Sequence, residues 1–210
     1  MIHKIEHGEK LNVATHAFGA FLALLGCALL LGLAARSHDT WKIFSFGIYT
    51  ICTVGLYCVS TIYHGTRGER KKLYRRLDYI GIYLKIAGSY TPYAILALRG
   101  TLGWVILGIV WSLAVVGILW ELVAPPTTNR LPSLALYTIM AVTVLPVIKY
   151  LMDAIPLWGF LLIMAGFISY GIGMIFFLND TRIKHGHGVW HVCVMCGTAF
   201  QYLCLLIYFT

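Results

Sequence analysis

Charged residues are scarce in this chain. Its 210 residues include 16 Lys and Arg and 8 Asp and Glu, 11% in all, against about 25% in an ordinary soluble domain. So few charges cannot coat a water-soluble globule. With 60% apolar residues and a mean hydropathy of +0.81, the balance excludes a disordered chain, a fibre and an ordinary cytosolic enzyme. A loop framework of cysteines is also missing. Cys27, Cys52, Cys58, Cys193, Cys196 and Cys204 all fall in apolar runs, which points to reduced, buried thiols rather than to the disulfides of a secreted domain. The opening MIHKIEHGEK carries Glu6 and Glu9 among its bases and has no short apolar core ending in a cleavage site. It does not read as a removable signal peptide, so the first span is expected to stay. Repeats and low-complexity segments do not stand out.

What is present in quantity is uninterrupted apolar sequence. Crossing roughly 30 Å of hydrocarbon takes about 20 helical residues, and seven stretches qualify, at about 12–35, 41–63, 77–98, 102–123, 132–151, 157–178 and 187–209. LLGCALLLGLAA and WVILGIVWSLAVVGILW are continuously apolar, whereas barrel strands would alternate over about ten residues. The expected fold class is therefore all-α: a polytopic membrane protein, one seven-helix transmembrane domain over residues 1–210, located in the plasma membrane. Pro125, Pro126, Pro132 and Pro156 fall at span edges, while Pro92 and Pro146 lie inside spans and are expected to kink them. Trp41, Trp104 and Trp158 sit near span ends as interfacial anchors.

Lys and Arg accumulate on the cytoplasmic side of membrane proteins. With the amino terminus inside, the inner loops hold Lys4, Lys10, the run from Arg67 to Arg76, Arg130, Arg182 and Lys184, 11 in total, against Arg36, Lys42, Arg99 and Lys149 outside. This predicts a cytoplasmic amino terminus and an external carboxyl terminus. The net charge of +8 is then mostly topology, not a nucleic-acid patch, and the Arg70–Arg76 run can also touch anionic headgroups. Membrane lipids are the expected partners; the oligomeric state carries no signal.

Ionisable residues inside a bilayer are costly, so a shared depth among them is informative. Ser60 and His64 close the second span, Asp78 opens the third, and His187 and His191 open the seventh; the predicted topology brings all five to the cytoplasmic level. Residues four apart on a helix lie about 40° apart in azimuth and about 6 Å apart in height, so His187 and His191 can share one metal ion. His64 supplies a third nitrogen, with the Ser60 hydroxyl one turn deeper. Three His with an open fourth position describe a catalytic zinc site. Asp78 is the available carboxylate, as ligand, as holder of a water on the ion, or as general base. A lone interfacial His is more often a headgroup-level side chain; the convergence is what raises the metal reading.

Other polar residues fit less well. Asn12 is read as capping the first helix and His16 as joining the site's rim. Glu121 is read as reaching the interface, and His3, His7, His38 and His185 as solvated. Cys193 and Cys196 point away from the His187 face. Ser169 and Gly173 form a small-xxx-small packing pattern. Lys85, two turns beyond Asp78 on almost the same face, can pair with a substrate group, snorkel, or be neutral.

Ser60-x-x-x-His64, Leu77-Asp78 running into Ile86-Ala87-Gly88-Ser89-Tyr90-Thr91-Pro92, and His187-x-x-Trp190-His191 together resemble the progestin and adiponectin receptor family, in its bacterial hemolysin III-like branch. The Asn12-x-x-Thr15-His16 start fits as well. The resemblance covers the whole chain and implies a seven-helix bundle with zinc held by His64, His187 and His191, Asp78 and Ser60 lining the ion's open side. Tyr79 stands where family members often have His, and Lys85 where an apolar residue is usual. The leading expectation is a zinc-dependent hydrolase of a lipid amide or ester, ceramide-like by family analogy, with a role in membrane-lipid homeostasis; Asp78 and Ser60 are its catalytic candidates. The rival is a non-enzymatic sensor or receptor-like protein with a structural zinc. A two-histidine haem protein is a third reading. A pore or transporter has least support, because the polar groups are expected to cluster at one depth and form no row across the bilayer, and the branch name does not argue for a pore.

Overall fold

The computed structural model describes residues 9–124 and 130–210; His3, His7, Lys4, Glu6, Pro125 and Pro126 lie outside them. Seven helical segments follow one another: α1 (Lys10–Arg36), α2 (Thr40–Gly65), α3 (Arg70–Pro92, continued by a π turn, Tyr93–Leu98), α4 (Gly100–Val123), α5 (Leu131–Val142, running through a 3-10 turn, Leu145–Val147, into Ile148–Ala154), α6 (Leu157–Leu178) and α7 (Gly186–Tyr208). All except α3 are long and apolar enough to cross a membrane on length and composition alone. Helix α3 is less apolar because it carries the Arg70–Arg76 run together with Asp78 and Lys85. The expected span begins near residue 77, and the helix extends two turns beyond it.

The prolines act where their chemistry requires. Pro92 removes a backbone donor and the helix widens into the π turn that follows; Pro146 sits in the 3-10 break of α5. Asp39 starts α2 by accepting hydrogen bonds from the Trp41 and Lys42 N–H groups at 2.8 and 3.2 Å, two of the donors a helix start leaves open. The α3–α4 junction turns on Arg99 and Gly100, both at positive φ.

Consecutive helices from α1 to α5 pack on their neighbours, α6 packs on α7, and α1 closes against α7. The outward faces are apolar, with Phe21, Leu25, Ile51 and Ile168 more than half exposed and Trp41, Trp104 and Trp158 exposed near the helix ends, as lipid contact demands. The interior is richer in polar groups, among them Asn12, His16, Ser60, His64, Asp78, Lys85, Glu121, His191 and Gln201. Several readings change here. Glu121 does not reach the interface but is buried, accepting a 2.5 Å hydrogen bond from Ser133 that ties α4 to α5. Asn12 does not cap α1; it donates to Glu9 Oε2 at 2.8 Å. All six cysteines are free, but only Cys27, Cys52 and Cys204 are buried, and Cys196 is exposed. Polar groups also continue deeper than one level: Tyr57 donates to Thr198 at 2.9 Å, and Tyr170 lies 3.2 Å from both Thr198 Oγ1 and Gln201 Oε1. His38 and His185 are exposed, as expected.

Ser169 and Gly173 do pack helices. Ser169 donates to the Cys193 carbonyl at 2.8 Å, and a Cβ on Gly173 would lie 2.7 Å from the Cys193 Cβ. One turn face away, Gly171 meets nothing within 4 Å. Gly173→Val should therefore destabilise the α6–α7 pair by about 1–3 kcal/mol, whereas Gly171→Val should fall within about 0.5 kcal/mol of wild type. Unfolding in detergent micelles compares the two variants directly.

Candidate metal centre

Helix ends bring the site together. His64 closes α2, and His187 and His191 lie one turn apart at the start of α7, where His185 adopts a left-handed conformation that launches the helix. Ring centroids are 5.1 Å apart for His64 and His187, 4.8 Å for His64 and His191, and 4.6 Å for His187 and His191. One ligand atom from each lies within 4.8 Å of the others, and the three could hold a metal ion. His64, His187 and His191 would each offer one ring nitrogen to such an ion, which would supply Lewis acidity at this end of the bundle.

The ring tautomers, assigned from their partners, suit this arrangement. His64 Nδ1 lies 2.7 Å from Glu9 Oε2, and His187 Nδ1 lies 3.2 Å from Asp180 Oδ2; ionised carboxylates only accept, so both Nδ1 atoms donate. His191 Nδ1 lies 3.3 Å from Thr15 Oγ1. That hydroxyl directs its proton to the Leu11 and Asn12 carbonyls and so accepts from His191. With each proton on Nδ1, each Nε2 carries a free lone pair, and His64 Nε2 is buried with no hydrogen-bond partner. A buried unpaired acceptor is what a metal ion would satisfy.

These orienting residues are themselves held. Glu9 accepts from Lys71 at 2.9 Å and from Asn12 at 2.8 Å. Its partial burial disfavours the charge, but the bonds from His64, Lys71 and Asn12 outweigh that and keep the carboxyl well below the usual carboxylate range. Asp180 accepts from Arg130 at 3.3 Å. Neither Glu9 nor Asp180 stood out in the sequence, because each lies just outside an apolar span and has the look of a solvated loop residue; Thr15 appeared only within the Asn12-x-x-Thr15-His16 pattern.

Asp78 and Ser60 are buried beside the histidines. Asp78 and Ser60 line the same cavity as His187 and His191, yet Asp78 stands outside the group of converging ligand atoms. His16, expected at the rim, stacks on His191 with centroids 3.7 Å apart, and both its ring nitrogens are buried without partners. From this end a cavity of about 560 Å³ runs into the bundle, touching Ser60, Asp78, Lys85, His187 and His191 among otherwise mostly apolar walls. It lies between the first half of α5 and α6, which do not pack closely on each other.

The family model described as haemolysin-III related matches residues 5–202. The chain belongs to this family. It is similar to Hemolysin-3 of Bacillus cereus, 35% identical over 95% of this chain and 91% of that protein. It is 34% identical to a Hemolysin-3 homolog of Bacillus subtilis (strain 168), over 95% of this chain and 93% of the relative. Similarity extends to the human monocyte to macrophage differentiation factor, 27% identical over 94% of this chain and 82% of that protein. The helices and these relatives agree on a multi-pass membrane protein, consistent with a plasma-membrane location.

If Nδ1 bonding orients the ligands, Glu9→Ala and Asp180→Ala should each weaken divalent-metal binding by about 10–100-fold. His64→Ala, or His187→Ala with His191→Ala, should reduce the metal content from one ion per chain to near zero. Elemental analysis and competition with a chelator measure both.

Proposed function

We propose that the protein is a zinc-dependent membrane hydrolase that cleaves an amide or ester bond of an acyl lipid, ceramide-like in form, and serves membrane-lipid homeostasis. The observation that carries this reading is the junction of two features: imidazoles that leave their Nε2 lone pairs free at one point, and a mostly apolar cavity that begins at that point, with Asp78 and Ser60 on its wall. Zinc suits a set of neutral imidazole donors. When bound, the ion supplies Lewis acidity toward an acyl carbonyl and toward water.

The protein's own groups divide the remaining work. Asp78 accepts the proton of the attacking water and returns it to the departing amine or alcohol. Ser60, one helical turn deeper than His64, donates to the oxygen on which charge develops. The cavity walls take the acyl chain and keep bulk water from it; a volume of about 560 Å³ falls in the usual range for lipophilic ligands. The loosely packed seam between α5 and α6 suits lateral entry from the bilayer. The surplus of Lys and Arg on the inner loops, 11 against 4, supports a cytoplasmic location for the histidine end.

His16 supports a second reading. Its two nitrogens are buried without partners and its ring centroid lies 3.7 Å from that of His191; it stands outside the converging ligand atoms, and a shift that brought it in as a fourth imidazole would make the zinc structural and the protein a sensor or receptor. The two readings separate on one set of measurements. Protein in nanodiscs, given a panel of amide- and ester-linked lipids, should release fatty acid, and Asp78→Asn should lower the rate by at least about 10²-fold with metal content unchanged. Equal turnover in that variant, or none in the wild type with zinc bound, overturns the hydrolase. A large loss of metal affinity in His16→Ala favours the sensor.

A further inference from the structure

Lys85 is a buried cationic residue of the cavity that the proposed reaction leaves unused. It is 5% exposed and lines the cavity on the same helix as Asp78. Nζ donates to Ser89 Oγ at 2.7 Å, Ser89 returns its proton to the Lys85 carbonyl at 2.8 Å, and Nζ lies 5.3 Å from the centre of the Tyr49 ring. An ammonium group has three donors, so one is satisfied and a ring face attracts the charge only weakly. No carboxylate among the described residues pairs with Lys85. A lone cation enclosed by apolar walls is expensive unless an anion meets it. The protein supplies none, and the mostly apolar cavity admits most readily an anion carried on hydrocarbon.

Distance specifies that hydrocarbon. Seven residues separate Asp78 from Lys85, a rise of about 10 Å between their backbone positions along α3; Nζ turns onward to Ser89, so this is the least a bound chain must span. An extended, staggered chain covers that span with about eight methylenes. We propose that Lys85 is a second polar subsite that pairs with a carboxylate carried at least about eight methylenes from the carbonyl at the histidine end, so that the cavity selects acyl chains of the dicarboxylic type. The inference rests on reading the histidine end as the place of the acyl carbonyl.

The test compares two probes, decanamide and the monoamide of decanedioic acid, which differ only in the terminal carboxylate. Each is titrated calorimetrically into protein in phosphatidylcholine nanodiscs, with empty nanodiscs subtracted. Wild type should bind the carboxylate-bearing amide at least about tenfold more tightly (about 1.4 kcal/mol). Lys85→Met should bind both probes alike, and Lys85→Arg should keep the preference. Equal affinities in wild type overturn the proposal whether or not Lys85→Met folds, as does a preference that survives in Lys85→Met. Failure of the two readings is distinguishable: the preference without any lipid turnover sinks the hydrolase and upholds the subsite, and turnover without the preference does the reverse.

Discussion

Three imidazoles can be buried together at one end of a helical bundle only if something takes one nitrogen of each. An unsatisfied buried polar atom costs about 1–3 kcal/mol, and a cluster of them would push the helices apart. The Nδ1 of His64, His187 and His191 each has a partner, while the neighbouring His16 has none, and each partner comes from an element other than the one it serves or from the turn before it: Glu9 from the start of α1, Thr15 from the first turns of α1, and Asp180 from the α6–α7 turn. Much of the bundle's architecture at this end follows from that requirement. Helix α1 must lie between α2 and α7 to reach both His64 and His191. Helix α3 must extend beyond its apolar span so that Lys71 can hold Glu9.

The same geometry links the site to the cavity. Because α5 and α6 do not pack closely, the interior of the bundle stays open beside the histidines rather than filling with side chains, and α3 runs along it with Asp78 near the site and Lys85 deeper. The break of α5 at Pro146 lies along this wall, with Val144 and Leu145 against the cavity. A membrane protein has no hydrophobic drive to close such a gap, since lipid tails are as apolar as its walls. The gap persists at little cost, where a soluble fold would have collapsed it.

Most of the helices were legible in the sequence because bilayer thickness imposes a length rule that local propensity does not. The π turn after Pro92 and the break around Pro146 were legible as kinks, though not their form, which neighbouring helices decide. His64, His187 and His191 could be brought together from i, i+4 spacing and a shared depth alone. What the sequence hid was the layer behind them. Glu9 and Asp180 carry no periodicity and lie in segments read as solvated ends, so only the folded arrangement reveals their partners. Glu121 was hidden for the converse reason: its position near a span end suggested solvent, and the Ser133 hydroxyl that lets it stay buried sits twelve residues away on another helix.

The inversion of polarity makes these hidden contacts matter more than they would in water. Outside the bundle there is hydrocarbon, so a polar side chain that loses its partner finds no solvent to replace it. Glu9 gathers His64, Lys71 and Asn12 on one carboxylate: removing it takes a partner from an imidazole, an ammonium and an amide at once. These residues come from the start of α1, the end of α2 and the start of α3, so the contact that orients a metal ligand is also the one that fixes how three helices meet. Ligand orientation and bundle closure are thus one physical event at this end of the molecule.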